Sequence, residues 1–287
     1  MMFARIRSFM TDLYSTWSAD KPSRLAAALA YYGMFSIAPM LYIALTVAGI
    51  FVNEAAVTDR LFEQFARNLG PEMSQYLQDI VVGASQSSSG GSVLASLISF
   101  GALLYAATGL FSHLQYTLNT IWDVPPASYA GTVALIKNRL LAFVMVLGVA
   151  LLFVVAAFAS VVISILGSWL EWASYVPLAT HGVLVGLLAV SFALIYKVVP
   201  DTDIAWRDVW LGAVVTALLF AAGRWVIGFY LRHSSVTSAF QAAGALAVLL
   251  IAMYYLVQIF LFGAVFTKVY ASRAGSRHGE LAIDQRE

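Results

Sequence analysis

The stretch DVWLGAVVTALLFAAGRWVIGFYL, residues 208–231, is apolar along nearly its whole length and holds a cation, Arg224, in its interior. It exceeds the roughly 20 residues that a helix needs to cross a bilayer. A charge at that depth is costly, so it must be held by a partner or used by the protein. Reading this stretch as a membrane helix decides how the rest of the chain is read.

Composition agrees with that reading. Of 287 residues, 61% are hydrophobic and 11% charged, and the mean hydropathy is +0.83. A soluble chain carries roughly a quarter charged residues, so this one must face lipid. A formal net charge of +1 gives no nucleic-acid signal. Cysteine is absent, which excludes disulfides, thiolate catalysis and cysteine metal sites.

Apolar segments near 25–52, 93–118, 140–166, 178–199, 208–231 and 240–270 predict six spans. The first 24 residues are polar or amphipathic, and no secretory signal is expected ahead of the first span. Placing both termini inside puts twelve cations on that face: Arg5, Arg7, Lys21, Arg24, Lys137, Arg139, Lys197, Arg207, Lys268, Arg273, Arg277 and Arg286. The outer loops then hold three, Arg60, Arg67 and Arg232. This asymmetry predicts cytoplasmic termini. Trp122, Trp169, Trp172, Trp206 and Trp210 fall at span ends, as an aromatic belt requires.

Two amphipathic pieces lie outside the spans. Phe3, Ile6, Met10, Leu13 and Trp17 recur at helical spacing and predict a helix lying on the inner leaflet. In the 53–91 loop, Thr58 can cap a helix carrying Leu61, Phe62, Phe65 and Leu69. Gly70 stops it, and Pro71 opens a second helix with Met73, Tyr76, Leu77, Ile80 and Val81. SQSSSGGS, residues 85–92, is a flexible connection into the second span. The apolar stripe of this loop is expected to cap the bundle, lie on the membrane or bind a partner.

Four blocks carry a family resemblance: RLAAALAYYGMFSIAPMLY (24–42), LYAATGLFSHLQYTLNTIWDV (104–124), YKVVPDTDIAWRDVWLGAVVTALLF (196–220) and YYLVQIFLFGAVFTKVY (254–270). In this order they resemble the YihY/BrkB family of bacterial inner-membrane proteins, some labelled virulence factor BrkB and some ribonuclease BN. The resemblance runs from about 20 to 271. It implies a six-helix membrane bundle with a role in transport or envelope integrity. Two positions depart from the family pattern. Val265 follows Gly263 and Ala264 where the family usually has glutamate, and Ala243 precedes Gly244 where a tyrosine is common. Roles resting on that glutamate or tyrosine are not carried over.

The residues themselves point to a pathway. Gly101, Tyr105, Thr108, Ser112, Gln115 and Asn119 follow the helical period and form one polar stripe on the second span. Such a stripe must face other helices or a hydrated cavity. In the first span, Tyr32 and Ser36 precede Pro39, which removes a backbone hydrogen bond and predicts a kink or local unwinding. Broken helices mark binding sites in many transporters. Ala217, Ala221 and Gly228 share the face of Arg224, so that face is expected to meet other helices. No acid lies inside a predicted span to pair with Arg224. Its expected contact is a substrate or lipid headgroup, a structural partner, or the interface reached by snorkelling. Tyr254 and Gln258, one turn apart on the last span, are expected neighbours.

Enzyme chemistry has little support. His113, His181, His233 and His278 form no metal-ligand spacing. Asp201, Asp203 and Asp208 could hold a divalent ion for phosphodiester cleavage. They also suit a loop and helix start, with Arg207 balancing them. No nucleotide-binding glycine loop or nucleic-acid patch is present.

The sequence therefore predicts an all-α polytopic protein of the bacterial inner membrane. It comprises an amphipathic segment at 1–24, a six-helix membrane domain at 25–271 with a helical periplasmic loop at 53–91, and a polar tail at 272–287. The expected function is a permease or a translocator of lipid or small solutes. It would have no enzymatic activity, cofactor or metal. The expected partners are membrane lipids, an unknown solute or lipid substrate, and a second copy or an envelope protein. The alternative is a non-transporting envelope-assembly factor, and a ribonuclease is the third reading.

Overall fold

The computed structural model describes residues 2–51, 109–125, 176–233 and 242–277, with isolated positions at 58–83 and at 148. Its elements are α1 (Met2–Asp20), α2 (Pro22–Phe51), α3 (described over 109–121), α4 (Val176–Val198), α5 (Trp206–His233) and α6 (Ala242–Arg273). No strand occurs among the described residues. Among the described residues, three segments, Ala179–Val198, Trp206–Gly223 and Leu249–Arg273, are long and apolar enough to cross a membrane. α2 adds a 30-residue helix, about 45 Å long at the helical rise. Apart from Gly148, the span expected at 140–166 lies outside the described residues.

Two sequence expectations change. α2 starts at Pro22, where a first-turn proline loses no intrahelical bond. It also stays helical through Pro39 to Phe51, so the chain does not unwind there. A helix can absorb a proline when neighbouring groups satisfy the freed carbonyl. In the 58–83 region the described positions are helical, as expected, Thr58 among them. Phe62 and Leu77 are buried, and Ser74 Oγ donates to the Phe62 carbonyl at 2.6 Å. That bond ties the stretch of Phe62 to the stretch of Ser74.

α5 shows how the bundle is held. Its outward stripe is large and apolar: Leu211, Val214, Leu218 and Val226 are exposed. Its inward face is small: Gly212, Ala213, Thr216, Ala217 and Gly223 are buried. A water-soluble helix would reverse this pattern. In lipid there is little hydrophobic drive between helices, so association rests on close packing of small residues and on interhelical hydrogen bonds.

α5 and α6 approach each other closely through two nearly identical pentapeptides. GAVVT (212–216) lies on α5 and GAVFT (263–267) on α6. A Cβ on Gly212 would overlap Thr267, and a Cβ on Gly263 would overlap Thr216. Each glycine therefore receives the threonine of the opposite motif. Thr216 Oγ1 donates to the Gly212 carbonyl and Thr267 Oγ1 to the Gly263 carbonyl, both at 2.7 Å, so neither buried hydroxyl is orphaned. Tyr196 ties α4 to this crossing. Its hydroxyl donates to the Phe260 carbonyl at 2.6 Å and lies 3.0 Å from Thr216 Oγ1. Phe192 and Phe260 pack beside it, with Phe220 on the far side of Phe192.

Gly212→Ala is expected to destabilise the protein by about 1–3 kcal/mol, the usual cost of overpacking. Adding Thr267→Ala should restore part of that loss, whereas adding Thr216→Ala should not. Thermal unfolding of the purified variants in one detergent distinguishes these outcomes.

Candidate functional site

The predicted polar stripe of α3 divides into two parts. At its lower end Gln115 and Asn119 are buried. Gln115 Nε2 and Asn119 Nδ2 donate to Asp201 Oδ2 at 2.8 and 3.0 Å, and the Asp201 amide donates to Asn119 Oδ1 at 2.8 Å. These residues clamp the α4–α5 loop rather than line an open path. One turn above, Ser112 is exposed and His113 is half-buried. His113 stacks on Tyr32 of α2 with ring centroids 3.6 Å apart. Next to Tyr32, Gly33 lies against Leu110 of α3 and Met253 of α6, so three helices meet at this level. Ser36 is buried one turn along α2. Tyr105 and Thr108, with Gly101, lie outside the described residues.

On α6, Tyr254 follows Met253, and Gln258 Nε2 donates to the Tyr254 hydroxyl at 2.7 Å. Gly223 of α5 packs against Tyr255 and Ile259. The backbone of Arg224 is therefore level with Tyr254 and Gln258, while its side chain lies outside the described ones. Ala217, on the face assigned to Arg224, is fully buried, as a helix-facing position should be. The junction thus joins Tyr32 and His113, with exposed Ser112 preceding His113 on α3 and Tyr254 and Gln258 on the adjoining α6. His113 does not stand out in the sequence, because a lone histidine at helical spacing suggests no ligand set.

Beyond the clamp lies a charged end. Lys268 of α6 is buried and pairs with Asp123 at 2.6 Å and with Asp20 at 3.8 Å. Arg273 pairs with Asp12 of α1 and donates to Ser8 Oγ at 2.7 Å. Ser276 donates its amide and hydroxyl to Asp208 at 2.8 and 2.7 Å. Arg277 donates to Thr202 Oγ1 and the Asp203 carbonyl, with its guanidinium 5.6 Å from the Trp122 ring centre. The tail at 274–277 therefore folds back onto the bundle. These contacts join α1, the end of α3, the α4–α5 loop and α6.

The three acids considered for metal chemistry have separate partners. Asp201 takes the α3 amides and buried Asp208 takes Ser276. Asp203 lies 3.7 Å from Lys197, in place of the expected Arg207. Lys197 also donates to the Ile204 carbonyl at 2.8 Å, which holds it over the loop.

α1 also differs from expectation. It is helical, but Phe9 packs on Phe266 and Trp17 on Phe262, so this face docks on α6. Leu13 is buried with them, whereas Met10 stays exposed. The ion pairs of Asp12 and Asp20 with α6 select this docking over simple deposition on a leaflet.

The family described as virulence factor BrkB matches residues 13–286. The chain belongs to this family. Among its relatives, a UPF0761 membrane protein of Mannheimia succiniciproducens is 25% identical, covering 99% of this chain and 96% of that protein. One of Teredinibacter turnerae is 26% identical over 93% of this chain and 61% of its own length. One of Alteromonas mediterranea is 29% identical over 84% and 80%. This BrkB-family chain thus spans nearly all of some relatives and about six-tenths of others, including that of Saccharophagus degradans. No solved structure was found to match. These relatives are named only as membrane proteins, and the BrkB-family chain is a membrane protein with apolar helices. Val265, where the resembled pattern carries glutamate, is fully buried among apolar side chains.

Lys268→Met should cost about 3–5 kcal/mol, because it leaves the Asp20 carboxylate without its buried cation. Adding Asp20→Asn should recover a large part of that loss. A double-mutant cycle on unfolding in detergent measures the coupling.

Proposed function

We propose that this BrkB-family protein is a six-span protein of the bacterial inner membrane with cytoplasmic termini, and that it moves a lipid or small solute. The observation that carries the reading is the division of the α3 stripe. Gln115 and Asn119 seal one end against Asp201, while Ser112, His113 and Tyr32 stay accessible above them. A polar surface within apolar helices, closed at one end, suits a pathway open to one side. The twelve-to-three distribution of cations supports placing the sealed end inside.

In this reading Tyr32, Ser112 and His113 line the entry, with Tyr254 and Gln258 beside it. Arg224, level with Gln258, supplies a cation for a phosphate or carboxylate. The region at 53–91 is read as a periplasmic helical loop, consistent with the burial of Phe62 and Leu77. No catalytic step is assigned, since Asp201, Asp203 and Asp208 serve the closed end.

The natural lack of cysteine makes the protein a clean background for single-cysteine labelling. With an impermeant maleimide on intact spheroplasts, Ser88→Cys and Ser174→Cys should label from outside. Ala274→Cys, which replaces an exposed residue, should label only after lysis. Ser112→Cys should react far faster than Leu218→Cys, whose position faces lipid, because thiolate forms only where water reaches. Equal inertness at 112 and 218 overturns the hydrated path. Outside labelling at 274 overturns the orientation.

A further inference from the structure

α1 has a second face, which no other described element covers. Arg7, Met10, Thr11, Tyr14 and Ser18 recur at helical spacing and are all exposed. Met10 is 53% and Tyr14 73% accessible, unusual for an apolar and an aromatic side chain. Lys21 follows in a left-handed turn with φ 47°, and Arg24 sits exposed in the first turn of α2. The Arg24 amide donates to the Lys21 carbonyl at 2.9 Å and closes this corner.

Charge is sorted across α1. Its acids Asp12 and Asp20 turn inward onto Arg273 and Lys268. Arg7, Lys21 and Arg24 stay on the outer side, so among the described residues the exposed face and corner carry net positive charge.

Depth identifies what meets this face. α1 lies against α6 between Phe262 and Arg273, the last 16 Å or so of that helix. The apolar part of α6 runs Leu249–Arg273, about 37 Å, somewhat more than the roughly 30 Å hydrocarbon core. The outer face of α1 is therefore at the boundary of acyl chains and headgroups rather than in bulk water. Met10 and Tyr14 suit the acyl boundary, and three cations suit phosphate.

We propose that the outer face of α1 and the α1–α2 corner form a docking surface for anionic phospholipid of the adjacent leaflet. Arg7, Lys21 and Arg24 contact the headgroups, and Met10 and Tyr14 enter the boundary. The docked helix then presses Phe9, Leu13 and Trp17 onto α6, so lipid binding and the ion pairs of the charged end reinforce each other. The proposal rests on membrane insertion and not on transport.

The test is native mass spectrometry of the full chain in neutral detergent with added phosphatidylglycerol or phosphatidylcholine. The wild-type protein should retain the anionic lipid in preference. Each cation beside an anionic surface contributes about fivefold in binding. Arg7→Gln/Lys21→Gln/Arg24→Gln should therefore lower the preference at least about tenfold, with an unchanged melting temperature in neutral detergent. Arg7→Lys/Lys21→Arg/Arg24→Lys should keep it. Arg207→Gln removes an exposed cation of α5 rather than of α1 or its corner and should also leave it unchanged. No preference in the wild type, an unaltered preference in the triple Gln variant, or equal loss in Arg207→Gln overturns the proposal. None of these outcomes bears on whether Ser112 is hydrated, so failure here is separable from failure of the transport reading.

Discussion

The crossing of α5 and α6 is the contact on which the rest of the arrangement depends. Helices in lipid gain little by hiding apolar surface from one another, because the lipid is equally apolar. They must gain by approaching closely, and here two glycines permit it. Gly212 admits Thr267, Gly263 admits Thr216, and each threonine satisfies its hydroxyl on its own helix. The reciprocity follows from antiparallel helices bearing the same five-residue pattern. Tyr196 then carries α4 into the same layer through the Phe260 carbonyl. With these three helices set, the large apolar residues of α5 can only point outward.

Polar groups are distributed very unevenly around this dry core. One end concentrates ion pairs and amide clamps, all joining segments distant in sequence. Such a network is costly to assemble in a low-dielectric setting and costly to break once assembled. Lys268, buried between Asp20 of α1 and Asp123 of the turn after α3, shows why. Removing a partner strands a charge, so α1, α3 and α6 are held as a set. The other polar surface, around Tyr32, Ser112 and His113, is more exposed among the described residues and is the side from which a solute would enter in the proposed function.

α1 links the two themes. Its inner face completes the packing of α6 and the charged end, while its outer face and the following corner carry the cations. A helix with two differently built faces reads as a single amphipathic stripe when only its hydrophobic period is followed. Met10 belongs to that period yet stays exposed, whereas Thr16 lies outside it and is buried.

By itself the sequence determined the solvent of this protein, its helical class and the positions of its long apolar segments. Apolar run length and charge distribution are local quantities set directly by bilayer thickness, so α2, α4, α5 and α6 were legible within a few residues. The family was legible for a related reason, since four ordered blocks are also local text. The tertiary structure alone decided which partner each polar group takes. Asp201 looked like a possible metal ligand and is an anchor for Gln115 and Asn119, more than eighty positions earlier. Pro39 looked like a break and sits in continuous helix. The stripe on α3 had one period and two environments, because burial at Asn119 and exposure at Ser112 depend on where the α4–α5 loop arrives. Periodicity fixes the direction of a side chain around its own axis, but only packing between helices determines what stands opposite it.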